Sequence, residues 1–136
     1  MALAVILMCI PVLTGCRLST RSARSAAEDL LNHEKYNQWE EAWEMLHPDS
    51  QAVWGDRSAF IDRMNQPLRN LKDFKIEKAK RIPSWISPGT SKVYSDVVEM
   101  PVTFIYSTVN GDMQRSTIIH AVAYDGEWKF FQHERE

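Results

Sequence analysis

The side chains of this sequence that could do chemistry are few: four scattered histidines (His33, His47, His120, His133), some tyrosines and carboxylates, and two cysteines. No two histidines stand at metal-ligand spacing, and His33-Glu34 lacks the second histidine that a zinc-protease helix requires. Cys9 lies inside an apolar run and Cys16 directly follows it. Without that run a single thiol remains, which permits neither a disulfide nor a thiolate zinc site. Proton abstraction would draw on Tyr106, His120, Tyr124 or Asp96. Tyr106 shares its strand face with Met100, Val102 and Phe104, which suits a core tyrosine bonded to backbone. His120 lies among Ile118, Ile119, Ala121 and Val122, so alternation leaves its side open. Asp96 reads as an exposed strand end. A lone tyrosine titrating near 10 is a poor base at neutral pH, and no partner acid falls on the inferred inward face. The pattern favours binding over catalysis, and it calls for no metal and no cofactor.

The remaining reactive group is Cys16 itself. Residues 2–13 are nearly all aliphatic, long enough for the apolar part of a signal peptide but short of the roughly 20 residues that span a bilayer. Gly15 is the small residue a signal peptidase accepts beside its cut. Leu13-Thr14-Gly15-Cys16 resembles the lipobox of bacterial lipoproteins, although Met1-Ala2-Leu3 lacks the cation that usually opens such a leader. The resemblance implies that Cys16 is acylated, and two or more acyl chains hold a bilayer stably where one does not. It also implies a location in the bacterial cell envelope, lipid-anchored and facing outside the cytoplasm. The expected division is a leader over 1–15, a lipidated cysteine and tether over 16–24, and one domain over 25–136.

All 16 basic and 18 acidic residues follow the leader, for a net charge of −2. That balance excludes a nucleic-acid partner of the usual basic kind. The only basic concentration is Lys75, Lys78, Lys80 and Arg81. It is either a solvated sheet face or a positive patch near anionic headgroups.

The elements that must position these residues come in two blocks. Ser25-Ala26-Ala27-Glu28 matches a capping box and predicts a helix to about Tyr36. Trp39, Ala42, Trp43 and Leu46 form an apolar stripe at helical spacing. His47 before Pro48 reads as a residue meeting the last carbonyls of that helix. A short turn carrying Val53 and Trp54 and a helix with Phe60, Ile61 and Met64, capped by Asp56 or Ser58, complete the block. Beyond Pro67 the period changes to two. A half-buried strand is expected over 71–82, a Pro/Gly loop over 82–92, and a long strand over 93–108 with Val98, Met100, Val102, Phe104 and Tyr106 on one face. Pro101 suggests an edge or bulge. Asn110-Gly111 and Asp125-Gly126 mark hairpins into strands 113–124 and 127–133, with Trp128 and Phe130 facing inward.

Helices followed by a meander of three to four antiparallel strands make an α+β domain. With the aromatic helix Trp39 to Pro48 and the closing Asp125-Gly126-Glu127-Trp128-Lys129, the pattern resembles the nuclear transport factor 2-like superfamily. That resemblance implies a curved sheet wrapped round the helices as a cone with a pocket. It implies no particular reaction, because the fold hosts enzymes, binding modules and assembly domains. Trp39, Trp43 and Trp128 fall at core spacing. Trp54 and Trp85 lie in turns and, with Tyr106 and His120, are the candidate contacts for a ligand or partner. The expected function is a non-catalytic binding or interaction module anchored to the membrane by lipid. The alternatives are a tethered isomerase or cyclase-type enzyme, or a subunit of an envelope assembly, with a homodimer or an envelope protein as partner.

Overall fold

A computed structural model describes residues 17–66 and 70–132 of the chain. Four helices come first: α1 (Thr20–Lys35), α2 (Trp39–Glu44), α3 (Pro48–Trp54) and α4 (Arg57–Met64). Five strands follow: β1 (Asn70–Ile76), β2 (Lys80–Ile86), β3 (Val93–Thr108), β4 (Gly111–Tyr124) and β5 (Glu127–Phe130). The result is an α+β domain whose helices precede an open antiparallel sheet. None of the helices among the described residues is long and apolar enough to cross a membrane.

α1 begins earlier than the Ser25 capping box predicts. Ser19 is its N-cap, accepting from the Ser22 amide, so 20–24 is helix rather than tether. The extra turn buries Ala23 in line with Ala27, Leu30, Leu31 and Glu34, and it brings the Ser22 hydroxyl to the Trp128 indole N–H at 2.8 Å. The stripe Trp39, Ala42, Trp43 and Leu46 is buried as its spacing predicts. His47 does not close this helix. It opens α3, its Nδ1 accepting from the Asp49 amide at 3.1 Å, with Pro48 at the first helical position where no donor is needed. Asp56 caps α4.

The sheet runs β1-β3-β4-β5, and β2 also pairs with β3. β1 and β2 therefore lie end to end along one side of the long β3, against 102–107 and 93–99 respectively. The single strand expected over 71–82 breaks at Glu77, and the expected loop holds β2, which raises the count to five. Pro83 hid β2 from the sequence. It has no ladder partner, and opposite it Asp96 turns to φ +57, while Ile82–Val97 and Ser84–Ser95 keep the same register on either side. Pro101 is at neither an edge nor a bulge, since it pairs with Ile118 of β4. Its carbonyl accepts from the Glu77 amide at 2.8 Å, so its nitrogen faces the gap between β1 and β2, where no ladder donor is required.

The hairpin at Asn110-Gly111 forms one residue out of step. Val109 and Asn110 are the loop, and Gly111, at φ +108, supplies the left-handed backbone after it. Asp125 and Gly126 both take positive φ, as a tight turn of the favoured hand demands. Along β3, Val98, Met100, Val102 and Phe104 are buried against the helices, joined by Ile119, Ala121, Trp128 and Phe130. Alternation sends their neighbours to the opposite face, where Val97, Val122 and Phe131 make a second, smaller cluster with Ile82, Trp85 and Tyr94.

Candidate functional site

The smaller cluster gathers most of the chemistry-bearing side chains. At its centre the Trp85 and His120 rings stack at 4.0 Å, only 12° from parallel. His120 pairs with Glu99 across the β3–β4 ladder, and its Nε2 comes within 3.7 Å of the Glu99 carboxylate. That is ion-pair range and too long for a hydrogen bond. Alternation left the side of His120 open, and the register places Glu99 directly opposite it. Trp85 also meets the edge of Phe131 and lies beside Tyr94.

Next to this stack the start of α3 packs on the sheet. His47 lies flat on Phe131 at 4.8 Å and edge-on to Tyr94 and Tyr124. The Tyr94 hydroxyl donates to Asp49 at 2.6 Å, and Lys92 Nζ reaches the other carboxylate oxygen at 3.3 Å. These contacts set the protonation states. The hydrogen bond from Tyr94 holds Asp49 below the usual carboxylate range, and Lys92 adds to it. Burial, then the bond to Asp49, pushes the Tyr94 phenol up. Burial pushes the His47 imidazole down, against the opposing pull of Asp49. Because Nδ1 of His47 accepts a backbone proton, the neutral ring carries its own proton on Nε2.

A second polar site lies around Asp96, opposite Pro83. Asp96 takes hydrogen bonds from Arg17 Nε at 3.2 Å and from Arg81 Nη1 at 2.8 Å, and both hold it well below the ordinary carboxylate value. Arg81 also donates to the Leu18 carbonyl and lies over the Trp128 ring at 5.8 Å. Arg81 is therefore withdrawn from the basic group in which the sequence placed it. Asp96 sits within β3, not at a strand end. These residues border a cavity of about 290 Å³ beside Asp125 and Gly126.

Of the residues singled out from the sequence, Trp85 and His120 come together. Trp54 is half-buried, packs edge-on to Phe60 at 5.2 Å and donates its indole proton to the Gln132 carbonyl at 2.9 Å. It is therefore part of the frame of the fold rather than a free rim. Tyr106 lies half-buried on Phe104, on the helix-facing side. Cys16 and His133 fall outside the described residues. Among the described residues no three of His, Cys, Asp and Glu converge as metal ligands would.

Sequence reasoning missed the His47–Asp49–Tyr94 group. His-Pro-Asp carries the signal of a helix start with proline at its first position. Nothing local announces Tyr94, which the long β3 brings to the α3 terminus. It also missed a buried polar knot: Gln132 Nε2 donates to Glu34 at 2.8 Å, while its backbone exchanges hydrogen bonds with the Ser50 hydroxyl.

No family model matches the chain, and no curated protein matches it. A solved structure that is similar is the crystal structure of a SEC-C motif containing protein from Psychrobacter arcticus, at a TM-score of 0.58 and 9% identity. The match covers 87% of this chain and 63% of that one, so the chain spans less than two thirds of that protein's length. At such identity the likeness shows a shared fold alone. These findings overturn the family assignment drawn from the sequence. The similar fold belongs to a SEC-C motif containing protein, and no family evidence supports the resemblance to lipoproteins or to the nuclear transport factor 2-like superfamily.

Proposed function

We propose that this chain is a non-catalytic binding or interaction module, held at a bacterial cell envelope by lipid on Cys16 and facing outside the cytoplasm. The observation that carries the non-catalytic part is electrostatic. Asp49 and Asp96 are held down, Tyr94 is pushed up, and His47 is pushed below its usual range, so every one of these groups moves away from neutrality. Acid–base catalysis needs the opposite tuning. These groups are engaged in holding β3, α3 and the segment before α1 together. In this reading the sheet curves round the helices as a cone, and partner contacts fall at the Trp85–His120 stack on its other face.

The anchoring part rests on the chemistry of the stretch Leu13 to Cys16, an apolar run followed by a small residue and a thiol. Metabolic labelling with a palmitate analogue tests it. The parent chain takes up label and Cys16→Ser does not; equal labelling of both overturns the anchor.

A further inference from the structure

One charged feature is used by neither cluster. A groove of about 510 Å³ runs between the first turns of α1 and the end of β1, lined by Thr20, Arg21, Arg24, Lys75, Glu77 and Lys78 among others. Four cations thus face one carboxylate in a chain whose net charge is −2. Lys75 pairs with Glu77 at 3.0 Å and Arg24 with Glu28 at 3.4 Å. Arg21 and Lys78 have no ion-pair partner among the described residues. The first turn of α1 carries no acid to offset the positive end of its dipole, so the helix adds to the field of the groove.

We infer that this groove seats the phosphate-bearing headgroup of an anionic lipid, docking the domain on the membrane by its α1–β1 side. The inference rests on the membrane reading above for its location and on the groove's own charges for its chemistry. Thr20 follows Cys16 so closely that the chain between them, fully extended, reaches at most about 14 Å. A lipid on Cys16 therefore keeps Arg21 and Arg24 within reach of the headgroup layer. Both are exposed arginines whose long stems can carry the charge to a phosphate. Lys75 and Lys78 approach from the opposite wall, so the phosphate is met from two elements.

The test uses the full chain and its Cys16→Ser form. Each is co-sedimented with vesicles of phosphatidylcholine alone or with about one third phosphatidylglycerol, and the ratio of binding to the two is read. The ratio is expected to exceed one in both proteins and to fall in high salt. In Arg21→Gln/Lys78→Gln it is expected to drop roughly 25-fold, about fivefold per cation removed. A ratio near one in the parent overturns the groove assignment. So does an unchanged ratio in the double variant, provided that its thermal midpoint equals the parent's. Binding of inorganic phosphate without any preference between vesicles overturns the lipid as its source. Absence of acyl label on the parent chain with the ratio intact overturns the anchor and supports the groove.

Discussion

The Tyr94 hydroxyl donates to the Asp49 carboxylate at 2.6 Å, which fastens the start of β3 to the first turn of α3. The bond favours the ionised acid and the neutral phenol. Asp49, depressed in the folded state, contributes stability that is present above its unfolded value of about 3.9 and lost as pH falls through the folded one. Tyr94, raised in the folded state, contributes below about pH 10, and that contribution is lost as pH rises through its folded value. Tyr94→Phe is expected to cost about 1 kcal/mol at pH 7, and Asp49→Asn a similar amount. Denaturant melts at pH 7 and pH 3 check this. Equal losses at both values for Tyr94→Phe would contradict the ionised pairing.

His47 titrates in the other direction from a usual partnered histidine. Burial lowers its pKa from 6.5, so the unfolded chain takes up the proton first as pH falls through that value. Stability then declines below about pH 6.5 until the folded imidazole also titrates. Protonation would also remove the acceptor that caps α3. His47→Asn keeps a capping acceptor and cannot titrate. Its stability is expected to change less than the parent's between pH 7 and pH 5, measured by urea midpoints. Matching slopes would show that the ring is not held neutral by burial.

The core rests on its indoles. Trp43 and Trp128 are more than nine-tenths buried, the first against Phe60 at 5.3 Å and the second on α1 through Ser22. Each replacement by alanine is expected to cost about 3–5 kcal/mol, a substantial part of a small domain's stability. A loss below about 1 kcal/mol at either site would refute the packing described.

Asp96 combines a left-handed backbone with two ion pairs, one exposed and one half-buried. Such pairs contribute little individually, whereas a left-handed φ is costly for residues other than Gly, Asn and Asp. Asp96→Asn is therefore expected to lie close to the parent, and Asp96→Ala about 1 kcal/mol below it. Thermal denaturation of the two orders them, and an equal loss in both would assign the effect to the charges instead.

The period of the sequence was enough to locate the helical stripe, the inward face of β3 and the turn at Asp125-Gly126, because each depends on side chains close in the chain. β2 was not legible, since Pro83 reads as a breaker unless the turned backbone of Asp96 across the ladder is known. The Trp85–His120 stack was half legible. Both residues stood out, but their contact depends on a register that no local pattern encodes. The His47–Asp49–Tyr94 group and the Glu34–Gln132–Ser50 knot were invisible for the same reason: their partners lie far apart along the chain.

That knot also constrains the order of events in folding. Gln132 fills the space between α1 and α3 and satisfies Glu34, a carboxylate only 4% exposed, from almost the other end of the chain. Without Gln132, Glu34 lacks this amide and the Trp54 indole lacks its acceptor. The helices pack on one another through Trp39, Trp43, Trp54 and Phe60, but the hydrogen bond from Gln132 to Glu34 forms only when both distant segments are in place. Contacts of such long sequence separation are slow to close. The knot therefore ties two helices to a residue that follows every strand of the sheet.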